Sequence, residues 1–304
     1  MNSKSITFLL FLSVCLIWGT TWFAMELALR SIPPIFATAL RFLLAAPLLA
    51  LLAKVFKQPL LFPKGKRQWL LIVALMYFAI PFTLMIYGEQ FISSGLASII
   101  FANMPVAVML MSGLFLGLQL ARHQVFGLLT AVISLCLILG SEMQVGGKDY
   151  LLGTLSLGLA VAIHAVMYVL VQKYCQEIQV LTYNAIPCLV ASLFLFAVSA
   201  LGETVHLDAF TRESVAAVVY LGCIASVGGI VAYFKLGQVS TPFQASICFL
   251  IFPVIALLIS AYINDNMLSR QSLILMLPLL FGVLLTKAPK PLFKWRSALH
   301  TPSH

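Results

Sequence analysis

Apolar residues run along the chain in long blocks, and short polar breaks separate them. A helix of about 20 apolar residues spans a bilayer core of about 30 Å. The blocks predict helices near 6–29, 35–53, 69–87, 95–117, 123–140, 151–173, 181–201, 214–236, 243–263 and 270–286. The breaks carry charges or turn residues, as in Arg30-Ser31-Ile32-Pro33-Pro34, Gly146-Gly147-Lys148-Asp149 and Asn264-Asp265-Asn266. Lipid offers the backbone no hydrogen-bond partners, so each crossing must bond internally, as a helix does. The alternation of barrel strands is missing. Lys4 followed by the apolar run 6–17 imitates a leader peptide, but the apolar character continues past Trp18 and Trp22. It is therefore read as a retained first helix. The pattern predicts an all-α polytopic membrane protein with ten transmembrane helices.

Composition closes off other classes. Of 304 residues 62% are hydrophobic and 9% charged, with mean hydropathy +1.06. Soluble domains average about 45–50% apolar and about 25% charged residues, so a cytosolic enzyme, a disulfide scaffold and a disordered chain are all excluded. The net charge of +9 would fit a nucleic-acid partner, but the positions of the charges favour topology. With the N-terminus inside, thirteen Lys and Arg fall inside and four outside, while Arg41 lies within the second segment. The positive-inside rule then places both termini in the cytoplasm of a cell (inner) membrane protein. The basic loop 54–67 and tail 287–296 read as anchors at anionic lipid, and no nucleic acid is expected. The six cysteines lie in or beside apolar segments and read as small buried hydrophobes.

The chain also repeats itself. A shift of 148 residues places Gln90 on Gln238, Ala97-Ser98-Ile99 on Ala245-Ser246-Ile247, Phe101 on Phe249 and Pro105-Val106 on Pro253-Val254. Leu110, Ser112, Leu120 and Arg122 also meet their own kind, giving eleven identities across 90–122. Apolar composition matches Leu with Leu, but it does not align Pro, Gln, Arg and Ser together. The expected units are 1–145, 146–290 and a basic tail 291–304. Five helices per unit make the second copy enter the membrane from the opposite side. Inverted repeats are a recurring plan of secondary transporters, with substrate bound between them near the midplane. Pro105 and Pro253 occupy equivalent kink positions, and Pro81 falls on Gly229. These four are the expected hinges.

The opening Trp18-Gly19-Thr20, the Pro33-Pro34 turn, the Leu40-Arg41-Phe42 step and the Ser98…Pro105 helix resemble the drug/metabolite transporter superfamily, EamA type. The resemblance covers both halves. It implies ten helices, cytoplasmic termini and export or exchange of small metabolites, often amino-acid-like. Two features depart from it. Gly117-Leu118-Gln119 and Asn264-Asp265-Asn266 stand where glycine-glutamate is common, and His164 stands where tryptophan is common.

Candidate site residues follow from the same repeat. Trp18, Trp22 and Glu26 recur four residues apart on one side of the first helix, and a shift of 146 gives His164, Tyr168 and Gln172. Such stripes offer stacking faces or cation–π contact. The competing reading places Trp22 in an interfacial belt and makes His164 a hydrogen-bonded core residue. Tyr77, Ser98, Asn103 and Ser246 join them as substrate-facing candidates, while Ser112 and Ser260 read as packing residues. Charge within lipid marks function by default. Arg41 is the clear case, with Glu26 as its partner or as a coupling acid; Glu26 could instead pair with Arg30 at i+4. Glu89 reads as an outer gate or, more simply, as a solvated loop residue.

A Walker motif is missing, and no Asp falls within a predicted helix. Neither a catalytic group, a metal nor a cofactor is expected. The function expected is a secondary transporter exporting or exchanging a small amphipathic metabolite, amino-acid-like or drug-like, by alternating access. An intramembrane enzyme or a channel is the alternative. The expected partners are a small-molecule substrate and the lipid bilayer, and the sequence leaves the oligomeric state open.

Overall fold

The computed structural model describes residues 3–117, 120–146, 148–240, 245, 247–264 and 268–288. Ser246 and the tail 291–304 therefore lie outside the described residues. Among the described residues the fold is all-α, with ten long helical segments: α1 (Ser3–Leu29), α2 (Pro34–Val55), α3 (Lys64–Gly88), α4 (Ser94–Leu116), α5 (Arg122–Gly146), α6 (Lys148–Tyr174), α7 (Val180–Gly202), α8 (Arg212–Val239), α9 (Cys248–Asn264) and α10 (Arg270–Lys287). Among the described residues nine spans are long and apolar enough to cross a bilayer, and the described part of α9 is shorter.

Local chemistry sets the ends. Pro34 opens α2 at its first turn, where a missing N–H costs nothing. Ser93, Thr211 and Ser269 cap α4, α8 and α10, each accepting a backbone N–H three residues on. Gly117 ends α4 in the left-handed conformation, at φ 64°.

Three helices depart from regularity, and two of the departures match. Ala74–Ala79 of α3 and Tyr220–Gly228 of α8 are π-helical. The 148-residue shift carries the first stretch inside the second (74 + 148 = 222; 79 + 148 = 227). Gly229 follows its stretch directly and Pro81 one residue later, so both expected weak points stand beside a widened turn. In α4 the helix is interrupted at Asn103, ahead of Pro105. α9 instead runs continuously through Pro253.

The packing runs mainly between the halves. α1 lies against α8 and α9, and its counterpart α6 lies against α3 and α4. α2 pairs with α7, α4 with α9 and α5 with α10, each with its own counterpart. This arrangement is the one two inverted five-helix repeats produce.

The helix pairs are tied at their ends. On the far face, opposite the start of α1 and the end of α10, the Glu203 carboxylate accepts the N–H groups of Ile35 and Phe36 at 2.7 and 2.9 Å. Glu142 likewise accepts from the N–H of Ser269 at 3.0 Å. On the terminal face Gln58 accepts from the N–H of Leu181 at 3.3 Å, and Lys66 pairs with Glu177 at 2.5 Å.

Candidate functional site

Two rings face the interior from equivalent helices. Trp18 of α1 packs on Tyr233 of α8 at 4.9 Å between centroids, and on Phe249 and Phe252 of α9 at 5.5 and 6.2 Å. His164 of α6, 3% exposed, packs edge-on to Tyr77 and Phe82 of α3 at 5.1 and 5.2 Å, and to Phe101 of α4 at 5.8 Å. Phe101 and Phe249 are partners in the 148-residue shift. The two clusters are thus equivalent junctions between the halves, sharing the Phe101/Phe249 ring position.

The prolines act at these rings. Proline gives no N–H to the carbonyl four residues earlier. Those residues are Tyr77 for Pro81, Phe101 for Pro105 and Phe249 for Pro253, and each is a ring in contact with His164 or Trp18. The Tyr77 carbonyl, bared by Pro81, faces the His164 imidazole. At the Asn103 break, N–H groups return to the carbonyls of Ile100 and Phe101. Gly229 has a second use, because a Cβ there would stand 2.9 Å from Trp18 Nε1. The expected hinge positions and the two ring clusters thus lie in contact.

Arg41 is 7% exposed and lies across the His164 cluster. Its Nε donates to Ser226 Oγ of the α8 π stretch at 2.9 Å, and one Nη meets Met25 Sδ at 3.6 Å. The guanidinium sits 4.8 Å from the Phe82 ring centroid, and the same ring contacts the His164 imidazole at 5.2 Å. Among the described residues no carboxylate approaches Arg41 within 4.0 Å. The expected Glu26–Arg41 contact is replaced by Glu26–Arg30, at 3.9 Å and one turn apart. The reason is geometric: Arg30 follows directly on the end of α1, one turn beyond Glu26, while the Arg41 side chain is committed to α8 and Phe82.

Glu89 is not a solvated loop residue. It caps the far end of α3 at 5% exposure, and neither carboxylate oxygen has a hydrogen-bond partner. Asn103 Oδ1, His164 Nδ1 and the Thr83 and Thr154 hydroxyls are also buried without partners. Each such group costs about 1–3 kcal/mol, and native structures tolerate few of them. These five residues lie in or cap α3, α4 and α6, and Ser94 of α4 and Ser260 of α9 also have unpartnered hydroxyls.

The remaining candidates divide. Trp22 is 3% exposed and packs on Phe101 at 5.5 Å, so it belongs to the interior and not to an interfacial belt. Ser98 is fully buried, and its hydroxyl donates to the Gly95 carbonyl at 2.6 Å, which turns it back onto its own helix. Ser112 does the same to Val108. Tyr168 is half exposed, at 50%, yet stands within electrostatic reach of Tyr77, Tyr183 and Tyr233. Among the described residues no three His, Cys, Asp or Glu side chains come together as a metal site.

Phe82, Tyr183, Ser226, Tyr233 and Phe249 were not expected. The spacing Tyr77-x-x-x-Pro81, Phe101-x-x-x-Pro105 and Phe249-x-x-x-Pro253 carried a signal for three ring positions of the two clusters. Nothing in the sequence marks Ser226.

Comparison with known proteins agrees with this architecture. The pattern of the EamA-like transporter family matches residues 5–140 and again 151–287. Protein PagO of Salmonella typhimurium is 45% identical over 286 residues, which is 94% of each chain. An uncharacterized transporter of Buchnera aphidicola from Schizaphis graminum is 41% identical over 291 residues, covering 96% of this chain and 97% of its own. A solved crystal structure superposes with TM-score 0.66 at 18% identity over 93% of this chain and 96% of its own, and shows the same fold. The two-copy match and these relatives identify the chain as a multi-pass membrane protein belonging to the EamA-like transporter family.

Proposed function

We propose that the protein is a secondary carrier that exports or exchanges a small amphipathic metabolite across the inner membrane by alternating access. The units are residues 1–145 and 146–290, with 291–304 as a basic cytoplasmic tail. The thirteen-to-four split of basic residues supports cytoplasmic termini. The observation that carries the reading is the duplicated junction. Each half places a ring from its first helix against rings beside a proline of the other half.

A shift of the α3 or α8 π turn moves these rings and the hinge together. Because the halves are equivalent, a state open to one face has a counterpart open to the other. Far-face ties and buried Glu89 fit closure on that side, and half-exposed Tyr168 fits an approach from the terminal face. Trp18, Tyr77, Asn103, His164 and Tyr168 are the proposed substrate contacts. Ser246 stays a candidate by its equivalence to Ser98. Trp22 and Ser98 support the walls, and Arg41 supplies the fixed positive charge. Family membership favours a carrier over an enzyme or a channel.

The test compares metabolites in the medium of overexpressing cells, deletion cells and cells producing Arg41→Met. One or a few small amphipathic compounds should rise with overexpression only, and purified protein in liposomes should carry them with saturation. Identical media and non-saturating flux would remove the carrier reading.

A further inference from the structure

Glu89 is the buried ionisable group that the proposed substrate contacts leave without a task. Its carboxyl is sealed from water, and both oxygens lack a donor. The backbone holds it there. α3 and α6 touch where Gly88 and Gly153 meet, and a Cβ on either would lie within 3.0 Å of the other's carbonyl. That contact brings α6 against the end of α3 that carries Glu89.

The charged groups acting on Glu89 are Glu26 from α1 and Arg41 from α2. α6 brings Gly153 and Leu157 to this turn, and α4 begins nearby with the buried, unpartnered Ser94 hydroxyl. A carboxylate without donors is poorly stabilised away from water. A second carboxylate nearby opposes ionisation, and Arg41 favours it only from a distance, because its own bonds go to Ser226 and Met25. The same group in water would ionise readily. Opening and closing of the far face therefore changes whether Glu89 holds a proton.

We propose that Glu89 is a proton-carrying group of the transport cycle: it holds a proton while the far face is closed and exchanges it with water when that face opens. The step moves one proton between water and a carboxylate oxygen and breaks no other bond. The inference rests on the carrier reading above, but its test needs no substrate.

Infrared spectra of purified protein in phosphatidylethanolamine–phosphatidylglycerol vesicles read the carboxylic acid carbonyl directly. At neutral pH the wild type should show a protonated-carboxyl band that Glu89→Gln removes and Glu26→Gln keeps. Transfer to heavy water should shift the band, which reports opening. A missing band, one removed by Glu26→Gln instead, or one that never shifts would each overturn the proposal. Glu89→Asp, which keeps the acid, guards against a folding defect: it should retain a band at an altered position, and complete loss in a folded Glu89→Asp protein would also count against the assignment. A band that behaves as expected in the vesicles, together with no export from overexpressing cells, would sink the carrier reading and leave the proton site standing. Export without the band would do the reverse.

Discussion

The Trp18 and His164 junctions are one design executed twice with different chemistry. Around Trp18 every neighbouring ring is aromatic carbon or phenol, and Gly229 lets α8 approach the indole edge. Around His164 the rings are similar, but one of them, Phe82, also meets the Arg41 guanidinium, and the imidazole Nδ1 lacks a partner. Duplication thus supplies the frame and, on the proposed carrier reading, the motion. The polar differences between the copies supply the chemistry, since a perfectly symmetric pair would hold no fixed charge on one side.

The largest effect should come from removing the charge that makes the halves differ. Arg41→Met leaves Ser226 without its donor and leaves the interior without its cation. Export should fall about 100-fold, equivalent to about 2.7 kcal/mol of barrier. Arg41→Lys should not restore it, because an ammonium has neither the flat face for Phe82 nor the Nε donor for Ser226. Initial rates in liposomes decide this; a fully active Lys variant would reduce Arg41 to a bulk charge.

Truncating the two rings should separate packing from recognition. Trp18→Ala empties a cage of three aromatic partners and should lower stability by about 3 kcal/mol. His164→Ala removes a ring whose Nδ1 bonds nothing, so melting should move less while apparent KM rises about tenfold, or about 1.4 kcal/mol. Thermal melting in detergent and saturation curves in liposomes read the two. Equal melting shifts with unchanged KM would make both rings structural.

The hinge residues come next. Gly229→Ala puts a methyl 2.9 Å from Trp18 Nε1 and 3.2 Å from the Ile17 side chain. Overpacking of this kind costs about 1–3 kcal/mol. Pro81→Ala meets no such contact in its own half and returns an N–H to the Tyr77 carbonyl. It should raise melting slightly and slow export, since a stiffer α3 opposes the motion. Faster export from Pro81→Ala would place the hinge elsewhere.

The sequence makes the frame legible for a physical reason. Crossing lipid demands about 20 apolar residues, and duplication leaves identities at Gln90, Phe101 and Pro105 that apolar composition cannot mimic. The site is half legible. Trp18, Tyr77, His164 and Arg41 stand out by type and position. Glu89 does not, because a carboxylate at a helix end looks the same whether the neighbouring helix covers it or water does. That depends on Gly88 meeting Gly153 across 65 residues of chain, a contact with no local signature. Ser226 is hidden for the same reason, since a serine in a membrane helix usually bonds its own backbone.

The smallest effect expected lies at the terminal face, where the halves are tied by exposed groups. Lys66 bonds both the Glu177 carboxylate and the Tyr174 carbonyl, and Trp69 stacks on Tyr174 at 5.3 Å. The hydrogen bond from Lys66 holds the Glu177 carboxyl below its usual range. A carboxyl depressed in the folded state contributes stability above its unfolded value and loses it as pH falls through the folded value. The tie is therefore complete at neutral pH and weakens below about pH 4.5. Glu177→Gln should melt slightly below wild type at neutral pH, and the gap should close on acidification. A gap that persists in acid would mean that Glu177 acts by packing on the loop and not by its charge.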